Sequence, residues 1–386
     1  MILNNMSGVY IHIPFCRNKC LYCDFYTAGS RIADWNLYIN CVLNELTFRK
    51  NEIKETPKTL YIGGGTPSLI PNDEFKRLVN ELQRILGVKK WEEFTIEVNP
   101  EDIDIEKLEC WADTRVNRVS MGIQSLNNKE LLKIGRKHDS LQALQSMAKI
   151  KEYFNNISVD VMFGLPGQTI ETYSQTLQNI IELKPTHISS YSLMLETGTA
   201  MTFLTKNGEI DLPDEDLWMQ MSDLTSELLI ASGYQRYEIS NYSLKGYESI
   251  HNRNYWKGEP YIGLGPAAHS YDGGRIRRAN PNQLKQYLNR YKSLDFSSSN
   301  ESFFQEEILT DRELREEFIL TRLRMLSGLD IKEFESRFGY LQKENLLSKA
   351  NSFIKSGLLK EDIENGRIFL SSQGMKVSDY VMSSLF

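Results

Sequence analysis

The sequence predicts an α/β fold: an incomplete, TIM-like (β/α)6 barrel followed by a small, mostly helical domain of winged-helix-like pattern. Three observations predict it. Strand and helix signals alternate through residues 8–193, which implies parallel strands joined by crossover helices, curled into a partial barrel or doubly wound. Polar residues fall at the carboxyl ends of otherwise apolar strands, where both architectures gather their ligands. Beyond residue 302 the pattern changes to short amphipathic helices and a hairpin. The expected divisions are 1–232 for the barrel, 233–302 for an extension and linker, and 303–386 for the terminal domain.

Gly8-Val-Tyr-Ile-His-Ile-Pro14 is a β-branched and aromatic run that reads as a buried strand. Period-two alternation puts Tyr10 and His12 on one face, and His12 taken alone reads as a satisfied core histidine. Directly after it comes Cys16-Arg-Asn-Lys-Cys20-Leu-Tyr-Cys23. Structural zinc sites usually close with two well-separated pairs of ligands, and no fourth ligand is near, because Cys41 falls in a helix expected over 34–54. A cubane iron-sulfur cluster tolerates the spacing: three irons take thiolates and the fourth can bind an exchangeable small molecule.

The second strand, Thr59-Leu-Tyr-Ile-Gly63, runs into Gly64-Gly65-Thr66-Pro67-Ser68. Taken alone, the glycines mark a loop that needs positive φ; the Gly-Lys-Ser/Thr ending of a phosphate loop and the GxGxxG pattern are both absent. At a strand end, however, they let backbone approach a ligand closely. Further strands are expected at 93–98, 118–121, 158–163 and 187–193, with helices at 73–86, 139–153 and 170–183. The strand ends carry Glu97 in Ile-Glu-Val-Asn-Pro, Gln124 in Met-Gly-Ile-Gln-Ser and Asp160 in Val-Asp-Val-Met-Phe-Gly-Leu-Pro-Gly-Gln168. A buried polar group left unsatisfied costs roughly 1 to 3 kcal/mol, so such ends on one rim point to a shared ligand.

Composition excludes other classes. The chain is 41% hydrophobic and 25% charged with net charge −6, ordinary for a soluble globular protein and without a footprint for nucleic acid. Five cysteines, an odd number with three in one loop, argue for a reducing, cytoplasmic setting rather than a disulfide framework. Met1-Ile-Leu-Asn-Asn-Met-Ser lacks the features of a signal peptide, and no apolar run reaches bilayer length. Cys41 and Cys110 read as ordinary buried thiols.

CxxxCxxC with Tyr22 between the second and third cysteines resembles the signature of the radical S-adenosylmethionine (radical SAM) family. Tyr-Ile-His-Ile-Pro-Phe-Cys, Gly-Gly-Gly-Thr-Pro, Glu-Val-Asn-Pro, Gly-Ile-Gln-Ser, Gly-Arg-Lys-His and Gly-Leu-Pro-Gly-Gln follow in order and resemble its coproporphyrinogen-oxidase-like branch over nearly the whole chain. The resemblance implies a 4Fe-4S cluster on Cys16, Cys20 and Cys23. It also implies SAM chelated by the open iron and cleaved to a 5′-deoxyadenosyl radical, chemistry that belongs to the cofactor. Carried over, Tyr10 would contact SAM beside the cluster, and Tyr22 would pack on the adenine or the cluster. Gly64, with Gly65 and Thr66, would meet the methionyl group, although Thr66 stands where the family's motif is acidic. Glu97, Gln124, Arg136 and Asp160 would line the nucleoside and substrate side; without the resemblance Arg136 is equally a solvated charge.

Two features separate the branches. The oxygen-independent oxidases carry a fourth cysteine where Phe25 stands, and an extra N-terminal segment where this chain begins its first strand close to Met1. Both departures resemble the haem chaperone family HemW, and His251-Asn-Arg-Asn-Tyr-Trp256 resembles a motif that family associates with haem. Neutral imidazole is the common protein ligand to haem iron, and Tyr255 and Trp256 offer flat faces for a porphyrin; alone, His251 reads as a loop histidine. His269, in the glycine-rich turn expected at 261–270, is a second candidate, more simply a structural one. The expectation is a haem chaperone; the alternative is an oxygen-independent coproporphyrinogen III oxidase of porphyrin biosynthesis. Implied partners are haem or porphyrin, a haem-acceptor protein, an electron donor such as flavodoxin or ferredoxin, and a membrane contacted peripherally, but no nucleic acid.

Residues 293–302 are serine-rich and read as a linker. Helices are expected at 311–326, 330–338 and 343–356, then a hairpin about Glu-Asn-Gly366 and a closing helix over 372–385. Mixed charges there favour a lid or partner-docking role over DNA binding.

Overall fold

The computed structural model describes residues 8–30, 33–293 and 303–386; all of the expected linker except Ser293 lies outside them. Strands β1 (Gly8–Ile13), β2 (Thr59–Gly64), β3 (Glu93–Val98), β4 (Arg118–Gln124), β5 (Ile157–Phe163) and β6 (His187–Ser192) lie in chain order, each parallel to the next. The helices between them include α1 (Trp35–Arg49), α2 (Asn72–Leu86), α3 (Ile105–Asp113), α4 (Ser140–Tyr153) and α5 (Ile170–Glu182). Local chemistry sets where they start. Asp34, Asp139 and Thr169 cap α1, α4 and α5 by accepting hydrogen bonds from the orphan N–H groups of the first turn. α1 ends sooner than expected, giving way to a 3-10 turn at Lys50–Glu52.

The strands are apolar on the face toward the helices. Val9, Leu60, Phe94, Val119 and Val159 are buried against Leu46, Leu78, Met147 and Leu177 of α1, α2, α4 and α5, and this burial is the main favourable contribution to folding. β1 and β6 do not pair, so the barrel stays open. β7 (Asn241–Ser243) joins β6 antiparallel.

At the other edge the structure departs from the sequence reading. Tyr261-Ile-Gly-Leu, expected as a turn, is strand β8 (Tyr261–Leu264), parallel to β1. It continues through antiparallel β9 (His269–Tyr271), β10 (Ile276–Ala279) and β11 (Gln305–Ile308). Gly263 permits the tight β8–β9 approach, because a Cβ there would run into the His269 carbonyl. The expected loop around His251 is helix α6 (Ile250–Trp256).

A buried ionic network fastens this return to the barrel. Arg49 of α1 donates to the Gly263 carbonyl (2.9 Å) and Ser270 Oγ (2.9 Å), while Glu45, 3.0 Å from Arg49, accepts from Gly265 N (2.9 Å) and Tyr287 Oη (2.7 Å). Both side chains are almost fully buried.

The C-terminal segment has its own apolar cluster, with Phe318, Leu323, Phe334, Leu346 and Ile368 among its buried members. Helices Asp311–Arg324, Ile331–Phe338 and Tyr340–Lys355 pack with a three-stranded antiparallel sheet of Leu329–Asp330, Leu359–Asp362 and Arg367–Leu370. The closing helix is broken at Val377 into Ser372–Lys376 and Ser378–Ser384.

Candidate cofactor site

The carboxyl ends of β1 to β6 converge on one cavity of about 350 Å³. Cys16, Cys20 and Cys23 lie on its wall as free, partly exposed thiols. Main-chain bonds fix their loop: Leu21 N donates to Ile134 O (3.1 Å), Cys23 N to Cys20 O (3.2 Å), and Met201 N to Leu21 O (2.8 Å). Gly65 lets the second strand's end press against this loop, since a Cβ there would sit 2.8 Å from the Ile13 and Phe15 carbonyl oxygens and 3.0 Å from Cys16 Sγ. Thr66 donates to Cys16 Sγ (3.3 Å), a bond that an ionised glutamate at this place could not make. Burial pushes the Cys16 and Cys23 thiols up, Cys23 to about 11.

The remaining strand ends supply polar groups. Glu97 accepts from Tyr61 Oη (2.7 Å) and from Gly64 N (3.1 Å), at a glycine held at φ 107°. Burial raises its carboxyl to about 7. A bulge between Gly122 and Gln124 breaks the β4–β5 register, and Gln124 takes the left-handed φ of 69°, strain of the kind that collects at functional sites. Arg136 donates to Asn99 Oδ1 (2.9 Å) and lies 3.7 Å from Cys20 Sγ. Burial raises the carboxyl of Asp160, against the opposing influence of Ser189 and Arg118.

Eleven of the residues expected at the site thus share this cavity: Cys16, Cys20, Tyr22, Cys23, Gly64, Gly65, Thr66, Glu97, Gln124, Arg136 and Asp160. Sequence reasoning missed Tyr61, Asn99, Arg118 and Ser189, which line it too. Arg118, a charge opening a buried strand, was the legible signal. Its buried Nε and Nη1 have no hydrogen-bond partner among the described residues, donors that call for a polar ligand.

Two expected residues do not join the rest. Tyr10 bonds His12 Nδ1 (3.0 Å) and lines a second, adjoining cavity of about 980 Å³. His251 is buried at the amino-terminal end of β2, its Nδ1 2.7 Å from Thr59 Oγ1 and its Nε2 2.8 Å from Tyr255 Oη. Glu93 holds it there by accepting from the N–H groups of Ile250 (2.6 Å) and His251 (3.3 Å) at the start of α6. Both ring nitrogens of His251, which the resemblance offers as a haem ligand or a direct porphyrin contact, are thus engaged by protein partners in this structure. His12, bonded to Tyr10 and to the Tyr26 carbonyl (2.9 Å), is the satisfied core histidine expected.

A family model described as "Radical SAM superfamily" matches residues 10–180, and one described as "HemN C-terminal domain" matches 309–377. "Heme chaperone HemW" of Lactococcus lactis is 35% identical over 381 residues, covering 98% of this chain and 97% of that protein. This chain belongs to the HemW family of radical SAM proteins. The Escherichia coli K12 member, of the same printed name, is 32% identical and covers 95% of this chain and 96% of its own. Among solved structures, coproporphyrinogen III oxidase (HemN) from Escherichia coli superposes with a TM-score of 0.81 at 22% identity, covering 99% of this chain and 90% of that one; this likeness shows the fold.

Membership in the superfamily implies a 4Fe-4S cluster and SAM, and the residues present fit both. Cys16, Cys20 and Cys23 would hold the cluster. Gly64, Glu97 and the unpartnered donors of Arg118 offer backbone, carboxylate and guanidinium groups to a zwitterionic ligand. No helix among the described residues is long and apolar enough to cross a membrane.

Proposed function

We propose that this protein is a haem chaperone: it holds a 4Fe-4S cluster and SAM in the cysteine-lined cavity, binds haem beside it, and passes haem to an acceptor protein. When bound, cluster and SAM supply one-electron chemistry that begins at a sulfonium. This chain's residues would hold the thiolates in place, Gly64 and Glu97 would orient the methionyl end, and Arg136 stands against the loop that carries Tyr22.

The observation that carries the reading is the second cavity. It is larger than the first, is lined by aromatic residues, and meets the first at Phe25, which lines both. An oxidase must bring its substrate within about 3.5 Å of the reacting atom, inside the first cavity, whereas a chaperone needs a separate place for a flat cargo. The relatives named heme chaperone match over nearly their whole length, and Phe25 stands where the oxidases carry a fourth cysteine. An electron donor of the flavodoxin or ferredoxin kind and peripheral membrane contact belong to the same proposal, as does a division at residues 232 and 302 into cofactor barrel, cargo-bearing extension and docking domain.

Two assays on anaerobically reconstituted protein test it. Haem-loaded protein mixed with a haem-free acceptor should lose its haem absorbance to the acceptor. With SAM, a reductant and coproporphyrinogen III, no protoporphyrinogen IX should form; its formation would establish the oxidase instead.

A further inference from the structure

The chain has five histidines, and four are fully committed. His12 and His251 have both nitrogens bonded as described. His187 lies between Ser158 Oγ (2.8 Å) and Tyr237 Oη (2.8 Å), while His138 meets the Ile123 carbonyl (3.1 Å) and the Glu101 carboxylate (3.3 Å). Among the described residues the His269 ring alone has no hydrogen-bond partner, and the residue is exposed. It opens β9 and lines the cavity of about 980 Å³, near the upper end of the usual range for small-molecule sites.

That cavity suits a flat, apolar ring. Tyr10, Tyr26, Tyr255, Trp256, Phe303 and Phe304 surround it, and aromatic faces stack favourably on a delocalised macrocycle. Trp256 is held from behind by the Arg324 guanidinium, 4.5 Å from its ring centre. The cavity takes Tyr255 and Trp256 from the motif that begins at His251, but takes its free imidazole from the neighbouring hairpin. With no hydrogen-bond partner for its ring among the described residues, the His269 imidazole has a nitrogen lone pair to offer a ligand in the cavity that it lines.

We infer that this cavity is the haem site and that the His269 imidazole is an axial ligand to the iron. The inference rests on the haem-chaperone reading and adds the place and the ligand. Binding requires only donation of the imidazole lone pair to iron, with no net redox change. It puts the porphyrin edge beside Phe25, across from the cluster cysteines.

The test titrates ferric haem and, separately, iron-free protoporphyrin IX into the full chain as wild type, His269→Ala and His251→Gln, with cluster iron and sulfide measured throughout. Wild type should show a sharp Soret band of an imidazole-bound haem. His269→Ala should lose that band and bind haem at least roughly tenfold more weakly, regain the band with added imidazole, and bind iron-free porphyrin as wild type does. His251→Gln should keep the Soret position. Haem binding in which His269→Ala matches wild type, or weakens both porphyrins equally, would overturn the ligand assignment alone. Wild type that binds no haem would overturn both this inference and the chaperone reading.

Discussion

Replacing Gly65 by alanine should empty the cluster site while leaving the chain folded. The added Cβ would stand 2.8 Å from the carbonyl oxygens of Ile13 and Phe15 and 3.0 Å from Cys16 Sγ. Two of those neighbours are backbone, so neither can rotate away, and Gly65 N is itself bonded to the Ile13 carbonyl at 2.6 Å. Relief therefore means moving the strand ends that carry Cys16. Overpacking of this kind costs roughly 1 to 3 kcal/mol, and about 2 kcal/mol falling on the cluster-competent geometry corresponds to roughly 30-fold weaker retention. The assay is iron and sulfide per chain after anaerobic reconstitution, followed by challenge with a chelator. Gly87→Ala is the control, since Gly87 ends α2 at φ 69° with open space around it: it should cost stability but no iron. A Gly65→Ala protein that resists the chelator as wild type does would refute the argument.

Cys20→Ala should fail to hold a full cluster, read by the same iron and sulfide assay. Glu97 predicts a pH effect. Its folded carboxyl is raised to about 7, so the folded state binds the proton more tightly than the unfolded one. The stability this contributes, on the order of 3 kcal/mol at most, is present at low pH and lost as pH rises through about 7. Thermal midpoints of cofactor-free protein between about pH 5 and pH 8 should fall for wild type relative to Glu97→Gln, and parallel curves would remove Glu97 as the cause. Arg49→Met should destabilise the fold by about 3 to 5 kcal/mol, because Glu45 is left charged and buried; urea unfolding measures it, and a loss under about 1 kcal/mol would contradict the network.

The cysteine loop and the strand-end residues were legible because their meaning is local: a ligand spacing, a glycine run, a polar residue closing an apolar strand. Period two put Tyr10 and His12 on one face, and the helices expected from 139 and 170 begin beside the residues that cap them in the structure, Asp139 and Thr169. What escaped depends on partners distant in sequence. Tyr261-Ile-Gly-Leu looks like a turn by composition, and only its pairing with β1 makes it a strand. His251 looks like a ligand beside its aromatic neighbours, yet Glu93 and Thr59 decide where it goes. Tyr10 and Tyr61 are both strand tyrosines, and the curl of the sheet sends them to different cavities.

The parallel pairing of Gly8 with Tyr261 and of Ile11 with Leu264 also governs how the chain is made. β1 leaves the ribosome first, and one of its edges can be satisfied by β2 within the next turn of the barrel. Its other edge must wait until residue 264 has emerged. At typical elongation rates of about 5 to 20 residues per second, that interval is on the order of ten seconds or more. Through that time an apolar strand presents unpaired N–H and C=O groups, a template for the wrong neighbour. Truncated nascent chains ending before β8 should therefore depend on a holding factor that the finished chain no longer needs.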